Sequence, residues 1–373
     1  MKKAYLRPPQ TVSAEQACEA VSISPSTLYA YVSRGLVRTT RDPRDARRSL
    51  YDRRDVEALI ARKKRSRSRS DIAHSTIDWG EPILRSAVSQ IKDGHLFYRR
   101  RNVVELADTS SVATVAALVT GIKGATFNTA KIAAQTSAIQ DTLGRITLAL
   151  AAEAAQPTGQ DGPRRAAHLI GCVIAAGSGA NPLNDEPIHH QVARGLGVSE
   201  KDYDIVRKAL VLCADHELNP SCYAARVAAS TGADLASALL VGVAAFNGPR
   251  HGRMPSSCTQ WLDDQQCELS GSSAERPPPG FGHRLYPDGD IRATNLLAVC
   301  PAPAAWQKRA DAVFKQTGHR PNITFALACV ERRLGLTAGA AMALFAIGRS
   351  VGWVAHILEQ RKSGAQIRPR AFN

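Results

Sequence analysis

Three histidines share one stretch of the chain, residues 214–292, and each lies in a polar segment punctuated by glycine or proline. His216 lies in ADHELNPSCYAARV, His251 in FNGPRHGR and His283 in PGFGHRLYPDGDIRA. Each stands beside a turn or helix-end signal and outside any apolar periodic run. Histidines at such positions can donate hydrogen bonds or transfer protons near neutral pH. A single histidine is more often a core residue, but three in this order and spacing predict one chemical site.

The elements that must position these side chains are helical. The pattern predicts a helix over 201–211 that leads into His216 and another over 223–230, with Asn219 or Ser221 as its N-cap. The apolar run 235–246 predicts a buried helix that ends in a tight turn at His251.

Two further segments complete this part of the pattern. Residues 261–279 are polar and end in three prolines, which predicts a loop that delivers His283. The Ala- and Gly-rich residues 166–180 predict a helix that packs closely against another, since small side chains let backbones approach.

The three histidine segments together resemble the citrate synthase family. The resemblance runs from about Ser75 to Asn373, roughly four-fifths of the chain. It implies an all-α, two-lobed fold, with a large lobe of 75–252 and 346–373 and a small lobe of 253–345. It also implies a homodimer, oxaloacetate as substrate, acetyl-CoA or a related acyl-CoA as co-substrate, and no bound cofactor or metal.

Six residues match positions at which the family binds or polarises its substrates. By this resemblance His216 binds a carboxylate or carbonyl of oxaloacetate, His251 donates to the thioester oxygen as it becomes an enolate, and His283 polarises the ketone. Bidentate pairing with a dicarboxylate suits arginine. The matching arginines are Arg292, Arg349 in LFAIGRSVGW and Arg368 in IRPRAFN, the last reaching the partner's site.

The chain departs from the family at the catalytic base. The family's proton-abstracting aspartate lies in a segment like Pro-Asn-x-Asp-Phe, which here reads Pro-Asn-Ile-Thr-Phe with Thr324 at the aspartate position. Threonine cannot act as a base near neutral pH, and a positioned general base contributes about 10²–10⁴-fold in rate. Two glycine positions are also changed. Arg253 could assist an oxyanion or crowd the thioester, and Arg100 would be strained if it must adopt a positive φ.

Composition agrees with a helical, cytoplasmic protein. The 373 residues are 44 % hydrophobic but only 5 % aromatic, which suits closely packed helices. Residues 1–10 lack the apolar segment of a signal peptide, and the run 235–246 is too short to span a bilayer. The eight cysteines form no CxxC pair, so we expect reduced thiols and neither a disulfide framework nor a metal site.

Positive charge is concentrated at one end. Residues 1–70 contain 17 Lys and Arg against 7 Asp and Glu, whereas the rest carries a net charge of only +5. A basic lobe of this density is typical of nucleic-acid binding. Residues 1–63 resemble the MerR-like winged helix-turn-helix domain, and the basic Ser/Arg-rich residues 64–74 read as a flexible linker.

Local signals define the elements of this first module. Ser13 and Gln16 predict a capping box for a helix over 14–20, and Ser24 followed by proline predicts the start of a second helix. Gly35 would end that helix. Strands are expected over 37–40 and 49–51 around a charged loop, 41–48, and a last helix is expected from Asp52 to Ala61.

Seven residues of this module are predicted to contact duplex DNA. A helix that begins at residue 25 would present hydroxyls to the major groove, and arginines on the wing would neutralise phosphates. The residues are Ser26, Thr27, Tyr29, Arg34, Arg38, Arg47 and Arg48. The alternative is a helical protein-interaction module with a solvated basic face.

Three functions therefore remain open. The first is an enzyme that condenses oxaloacetate with an acyl-CoA and carries a DNA-binding appendage. The second is a metabolite-sensing transcription regulator in which the catalytic module, weakened at Thr324, serves as a ligand-binding dimer. The third, a scaffold without a small ligand, fits the polar residues least. The family activity is the primary assignment.

Overall fold

The computed structural model describes residues 11–33, 35–42, 45–64, 84–123, 136, 138–156, 162–180, 186–264, 277–369 and 371. The chain divides into two compact units, Met1–Ile83 with Phe372–Asn373, and Leu84–Ala371. Each unit has its own core of apolar side chains.

The first unit combines three helices with a three-stranded antiparallel sheet. Strands β1 (Thr11–Ser13), β2 (Thr39–Asp42) and β3 (Asp45–Asp52) lie in the order β1-β3-β2. The helices are α1 (Ala14–Val21), α2 (Pro25–Ser33) and α3 (Arg53–Lys64). Their buried faces meet over Val12, Ala17, Val21, Leu28, Val37, Tyr51, Val56 and Leu59.

The predicted helix starts of this unit are confirmed. Ser13 Oγ accepts from Gln16 N, and Gln16 Oε1 accepts from Ser13 N, which completes the capping box. Ser24 Oγ accepts from Thr27 N at 3.3 Å, and Asp52 Oδ1 accepts from Arg54 N at 2.9 Å. These are short-range signals, and each acts within three residues of its partner.

The charged loop predicted over 41–48 is wrong. Most of those residues belong to β2 and β3, which pair antiparallel with a register shift between Arg41 and Asp42. A two-stranded ribbon satisfies its backbone groups by cross-strand pairing and can leave charged side chains in solvent, so charge alone does not exclude strands here. The last helix also continues three residues beyond the predicted end at Ala61.

The second unit opens with a small antiparallel sheet, β4 (Ser89–Lys92), β5 (His95–Tyr98) and β6 (Arg101–Asn102). Between β5 and β6, Arg99 and Arg100 have φ of 46° and 71°. Residues other than glycine are disfavoured there, so the strain predicted for Arg100 is present. The Arg99 guanidinium partly offsets it by donating to Val119 O at 3.1 Å.

The rest of the second unit is helical. Its α-helices among the described residues are α4 (Val103–Thr109), α5 (Val112–Thr120), α6 (Thr142–Ala154), α7 (Pro163–Ser178), α8 (Ile188–Gly195), α9 (Tyr203–Cys213), α10 (Pro220–Ser230), α11 (Leu235–Phe246), α12 (Met254–Asp263), α13 (Ile291–Val299), α14 (Ala304–Thr317), α15 (Ile323–Arg333) and α16 (Ala340–Ser363). A 3-10 turn, Glu200–Asp202, precedes α9.

These bounds test the predicted helices. The helix over 235–246 is confirmed at both ends as α11, and Asn219, rather than Ser221, caps α10 through Cys222 N. The Ala-rich segment is α7, which packs against α6 and α16 as predicted. The loop predicted to begin at Trp261 begins later, because α12 continues to Asp263; residues 265–276 of that loop lie outside the described part of the chain.

Helix α16 forms the centre of the second unit. It has the length and composition of a membrane span, but 94 % of its most apolar 18-residue window is buried within the unit. The helix is therefore a core helix in this structure. It carries Arg349, Trp353 and His356 to the region of the three histidines.

Candidate active site

His216 lies in the short segment between α9 and α10, which two buried side chains hold in place. The Tyr98 hydroxyl lies 3.1–3.3 Å from the carbonyl oxygens of Val211, Leu212 and Asp215 and receives a hydrogen bond from Asp215 N. Tyr98 is fully buried. Tyr98 thus fixes the backbone between the end of α9 and His216.

The second anchor is an ion pair between Asp215 and His356, both with fully buried side chains. Their Oδ2 and Nε2 atoms are 3.2 Å apart, and the Asp215 carboxylate also accepts from Ser89 Oγ. Burial alone would lower the pKa of His356, but Asp215 raises it to about 10. The pair therefore keeps both charges and fastens the His216 segment to α16. Glycine is required at 352, because a Cβ there would meet Asp215 Oδ1 at 2.3 Å.

His251 lies in the turn that follows α11. Its Nε2 is 2.8 Å from Ser221 Oγ, which also accepts from Trp353 Nε1 at 2.9 Å and lies 2.7 Å from Asn219 Oδ1. The ring packs edge-on against Phe246, with centroids 4.9 Å apart. Gly252 makes this approach possible, since a Cβ there would come within 2.3 Å of the Phe246 ring.

His283 and His216 lie side by side. Their ring centroids are 5.0 Å apart, and Tyr286 contacts both, with its hydroxyl 3.0 Å from His216 Nε2. His283 Nδ1 accepts from Leu285 N at 3.2 Å. A neutral imidazole that accepts at Nδ1 carries its proton on Nε2. His283 is thus set to act as a hydrogen-bond donor through Nε2.

All three rings are held in the neutral form. Burial lowers the pKa of His251 to about 3 and of His283 to about 4, and it lowers the pKa of His216 well below the usual value. The positive charges of Arg349, near His251, and Arg292, near the other two, act in the same direction. At neutral pH these histidines can therefore polarise a carbonyl by hydrogen bonding without carrying charge.

Arg292 is buried beside a carboxylate that the sequence analysis did not single out. Its Nε and Nη2 donate to the two oxygens of Asp290 at 2.9 and 2.8 Å, and both side chains are almost fully buried. Burial alone would lower the pKa of Arg292, but Asp290 raises it, so the guanidinium stays charged. Since Asp290 occupies the Nε edge, Nη1 and the outer hydrogen of Nη2 form the edge that an incoming carboxylate would meet.

Thr324 lies on the first turn of α15 and is 6 % exposed. The segment before it is bonded to the His283 loop: Asn322 N donates to Gly280 O, and Asn322 Nδ2 donates to Gly282 O, both at 2.9 Å. Ile323 N donates to Asp290 Oδ2 at 2.9 Å. The structure therefore ties the Thr324 position directly to the segments of His283 and Arg292.

The remaining predicted arginines differ in placement. Arg349 is 1 % exposed, and its Nε donates to Cys213 O at 3.0 Å, one turn before His216. Arg368 has an exposed side chain in the segment after α16. Arg253 turns to Asp141, with Nη2 and Oδ2 2.7 Å apart, and to Asn247 Oδ1. The sequence allowed two roles for Arg253 at the thioester. In the structure its guanidinium is engaged in this ion pair.

A family model described as citrate synthase, C-terminal domain, matches residues 163–370, more than half of the chain. The chain belongs to the citrate synthase family. Members need no metal or bound cofactor and use acyl-CoA as a co-substrate.

Curated relatives of this family match part of the chain. It is 33 % identical over 187 residues to citrate synthase 2 of Bacillus subtilis, which covers 46 % of this chain and 50 % of the relative. It is 31 % identical over 185 residues to 2-methylcitrate synthase 2 of Corynebacterium glutamicum, covering 43 % and 47 %. The chain spans about half the length of the curated relatives it matches.

Solved citrate synthases share the fold over a longer range. The enzyme of Thermotoga maritima superposes with a TM-score of 0.64 and 21 % identity, covering 79 % of this chain and 94 % of that one. The enzyme of Thermoplasma acidophilum gives 0.64 and 22 %, covering 80 % and 95 %; it was solved as a ternary complex with carboxymethyl coenzyme A and oxaloacetate. The citrate synthase fold predicted for the second module is confirmed.

Several side chains that organise this citrate synthase-like site were not predicted to have a role there. They are Tyr98, Asp215, Ser221, Tyr286, Asp290, Trp353 and His356. One of them had a readable signal. Asp290 stands two residues before Arg292 at a helix start, where an aspartate is a preferred N-cap.

The residues predicted to bind DNA lie in the first unit. Ser26, Thr27 and Tyr29 occupy the first turns of α2, and Tyr29 is 61 % exposed. The two predicted wing arginines with described side chains are largely exposed: Arg38, 71 % exposed, donates through Nε and Nη2 to the Asp55 carboxylate at 2.9 and 3.1 Å, and Arg48, 78 % exposed, faces Asp45 at 3.4 Å. Arg34 and the Arg47 side chain lie outside the described residues.

Proposed function

We propose that this protein binds oxaloacetate and an acyl-CoA and joins them by a Claisen-type condensation. The observation that carries the proposal is that neutral His216 and His283 are grouped with the buried cation Arg292. The ring centroids of the two histidines are 5.0 Å apart. A dicarboxylate with a ketone requires both a charged clamp and neutral donors. Membership of the citrate synthase family supports the same chemistry.

In the proposed reaction a water molecule takes a proton from the carbon next to the thioester carbonyl, and the resulting enolate attacks the ketone carbon of oxaloacetate. His251 donates to the thioester oxygen as negative charge develops there. For this, the ring proton must lie on Nδ1, and the Ser221 hydroxyl must turn from Asn219 Oδ1, to which it donates in this structure, to donate to His251 Nε2. His283 donates through Nε2 to the ketone oxygen as it becomes an alkoxide. Water then cleaves the thioester and releases the CoA thiol.

Arginines hold the two carboxylates in this proposal. Arg292 binds one through its outer edge, and Arg349, whose Nε donates to the Cys213 carbonyl one turn before His216, binds the other. Arg368, exposed on the segment after α16, reaches the site of a second copy in a homodimer. Leu148 on α6 and Val241 on α11 are exposed apolar side chains that such a dimer would cover.

Thr324 sets the rate in this proposal. It stands where the family's aspartate removes the proton, and its hydroxyl is not basic at neutral pH. Enolisation by water would then be slower by about 10²–10⁴-fold than with a positioned base. The condensation is therefore expected to be slow, with substrate binding largely retained.

The deciding experiment is a thiol-release assay on purified protein with acetyl-CoA, with and without oxaloacetate. Release that depends on oxaloacetate supports the condensation, and detection of the condensed tricarboxylate would identify the product. Propionyl-CoA in a parallel assay tests the acyl chain. Absence of release, together with no effect of oxaloacetate on the melting temperature, would refute both catalysis and binding.

A second function, a metabolite-responsive DNA-binding regulator, is favoured by Thr324 itself. Losing the base while keeping the polar site is what a ligand sensor would tolerate. Residues 1–63 would then form the DNA-binding module, 64–74 the linker and 75–373 the sensor. A rise in melting temperature with oxaloacetate but no thiol release supports this alternative.

DNA binding by the first unit is supported by its charge and by α2. The exposed Tyr29 and the hydroxyls of Ser26 and Thr27 stand at the start of that helix, where backbone amides favour phosphate. Free thiols at each described cysteine fit the cytoplasm we propose for such a protein. The test is a shift of duplex DNA by the full chain at low salt that weakens as salt rises; no shift at low salt would refute it.

A further inference from the structure

Helices α6 and α7 bring together three side chains that belong to none of the sites described above. Glu153 lies near the end of α6, and His168 and Cys172 lie one turn apart on α7. Their potential ligand atoms, a carboxylate oxygen, an imidazole nitrogen and a thiol sulfur, all lie within 4.8 Å of one another. The His168 side chain is 40 % exposed, so solvent reaches the group.

Two of the three distances between ligand atoms fit the edges of a zinc tetrahedron, and the third, between Cys172 Sγ and the Glu153 carboxylate, is within 4.8 Å. With Zn–S of about 2.3 Å and Zn–N of about 2.0–2.1 Å at tetrahedral angles, the sulfur and nitrogen should lie about 3.5 Å apart. Cys172 Sγ and His168 Nε2 are 3.5 Å apart. A nitrogen and a carboxylate oxygen on the same ion should lie about 3.4 Å apart. His168 Nε2 and Glu153 Oε2 are 3.2 Å apart.

A neighbouring arginine fixes the carboxylate. Arg165 Nη1 donates to Glu153 Oε2, and its Nη2 donates to Glu153 O at 3.0 Å. Carboxylate ligands in metal sites commonly accept such an outer hydrogen bond, which orients them. Arg165 also carries a positive charge, which offsets part of the charge of the carboxylate and thiolate. The site therefore suits a metal that forms strong bonds to sulfur and nitrogen rather than one bound mainly by charge.

We propose that Glu153, His168 and Cys172 form a three-residue site for Zn²⁺, with a water molecule as the fourth ligand. The nitrogen and sulfur donors favour zinc over magnesium or calcium, which take oxygen ligands. The histidine binds through Nε2 in its neutral form.

Binding must displace one proton. Cysteine binds zinc as its thiolate, and the Cys172 sulfur lies 3.5 Å from His168 Nε2. On binding, the S–H bond breaks, the sulfur–zinc bond forms and the proton passes to solvent, so that Zn²⁺ and the thiol give the zinc thiolate and H⁺. Affinity is therefore expected to increase with pH.

A second group, Asp215, Cys222 and His356, has the same ligand types but a different setting. The three residues are buried, and the Asp215 carboxylate is already paired with the His356 cation and bonded to Ser89. A cationic imidazole cannot bind a metal through its protonated nitrogen. This group serves as the comparison in the test.

The test is titration of the full chain with Co²⁺, followed by competition with Zn²⁺. A cysteine ligand in a tetrahedral site gives a near-ultraviolet thiolate-to-cobalt charge-transfer band together with visible d–d bands, and Zn²⁺ should remove both. His168→Ala is the main variant because its side chain is partly exposed and the fold should survive. Loss of an outer-shell partner weakens metal binding by about 10–100-fold, so loss of this ligand should weaken it by more than about 100-fold.

Matched variants locate the site. Cys172→Ser and Glu153→Gln should remove or shift the bands, whereas Cys18→Ser and Cys222→Ser should leave them unchanged. The proposal is overturned if wild-type protein gives no thiolate band, if His168→Ala binds Co²⁺ as tightly as wild type, or if Cys222→Ser abolishes the signal. Circular dichroism of each variant confirms that the comparison is between folded proteins.

Discussion

Replacing Thr324 with aspartate tests whether the rest of the proposed site is competent. The residue lies at the start of α15, where a negative charge is favoured by the helix dipole, and its side chain is close to aspartate in volume. The adjacent Ile323 N already donates to Asp290. The Asp290 carboxylate should raise the pKa of the new carboxyl, while Arg292 limits that effect. A raised pKa makes the carboxylate a better base near neutral pH.

The expected gain is that of a positioned base. Thr324→Asp should increase kcat for oxaloacetate-dependent thiol release by about 10²–10⁴-fold, equivalent to about 3–5 kcal/mol of activation free energy. Because Thr324 is only 6 % exposed, the new carboxylate also loses solvation, so some loss of stability is expected. The KM for oxaloacetate should change little, since the substrate clamp is untouched.

The assay separates proton removal from the later steps. Washout of deuterium from trideuterioacetyl-CoA measures enolisation, and thiol release measures the complete reaction. Thr324→Asn is the matched control, because it has the size of aspartate without its basicity. If the aspartate and asparagine variants turn over equally while oxaloacetate still raises the melting temperature of both, Thr324 does not limit the reaction and our reasoning about the base is wrong.

Four further predictions follow from buried and exposed charges. His356→Gln breaks a buried ion pair and should lower the free energy of unfolding by about 3–5 kcal/mol at pH 6. Asp215 raises the pKa of His356 from 6.5 to about 10, so the stabilisation by the ion pair should be complete below pH 6.5 and fade as pH rises through about 10. Urea unfolding at several pH values measures this. A stability difference between wild type and His356→Gln that does not change with pH would contradict the prediction. His251, whose pKa is lowered to about 3, should stabilise the fold above pH 6.5 and lose that contribution as pH falls toward 3, so His251→Asn should flatten the acid side of the stability profile. Arg48→Ala should reduce the salt dependence of DNA binding by about 0.9 in log–log slope, and equal slopes for wild type and Arg48→Ala would remove Arg48 from the interface. Arg38→Ala should lower the free energy of unfolding by no more than about 1 kcal/mol, because the Arg38 side chain is 71 % exposed although it is bonded to Asp55.

The sequence predicted best where the determining interaction is local. The capping box of Ser13 and Gln16 spans three residues, and the helix over 235–246 is set by a continuous apolar run between Asp234 and Asn247. Both the N-cap and the length of the apolar run can be read directly from the sequence. The three histidine segments were found in the same way, from turn and cap residues beside each ring.

Prediction failed where the partner lies far along the chain. Arg253 was left with two roles at the thioester, yet its guanidinium pairs with Asp141, 112 residues earlier. Tyr98 supports the His216 segment from 117 residues away, and nothing in its own surroundings indicates that contact. The strands in 41–48 were missed because charged residues were assumed to prefer a loop, whereas the backbone pairing decides.

Asp290 also limits which changes this protein can accumulate one at a time. Its carboxylate serves the Arg292 guanidinium on one side and the first amide of α15 on the other. Losing either charge alone would leave its counterpart buried and uncompensated, which costs about 3–5 kcal/mol. Strong epistasis between positions 290 and 292 follows, and an Arg292 variant that loses activity would report misfolding as readily as lost substrate binding. Replacing Asp290 and Arg292 together by a pair of neutral residues would remove the carboxylate-binding cation and leave α15 in place.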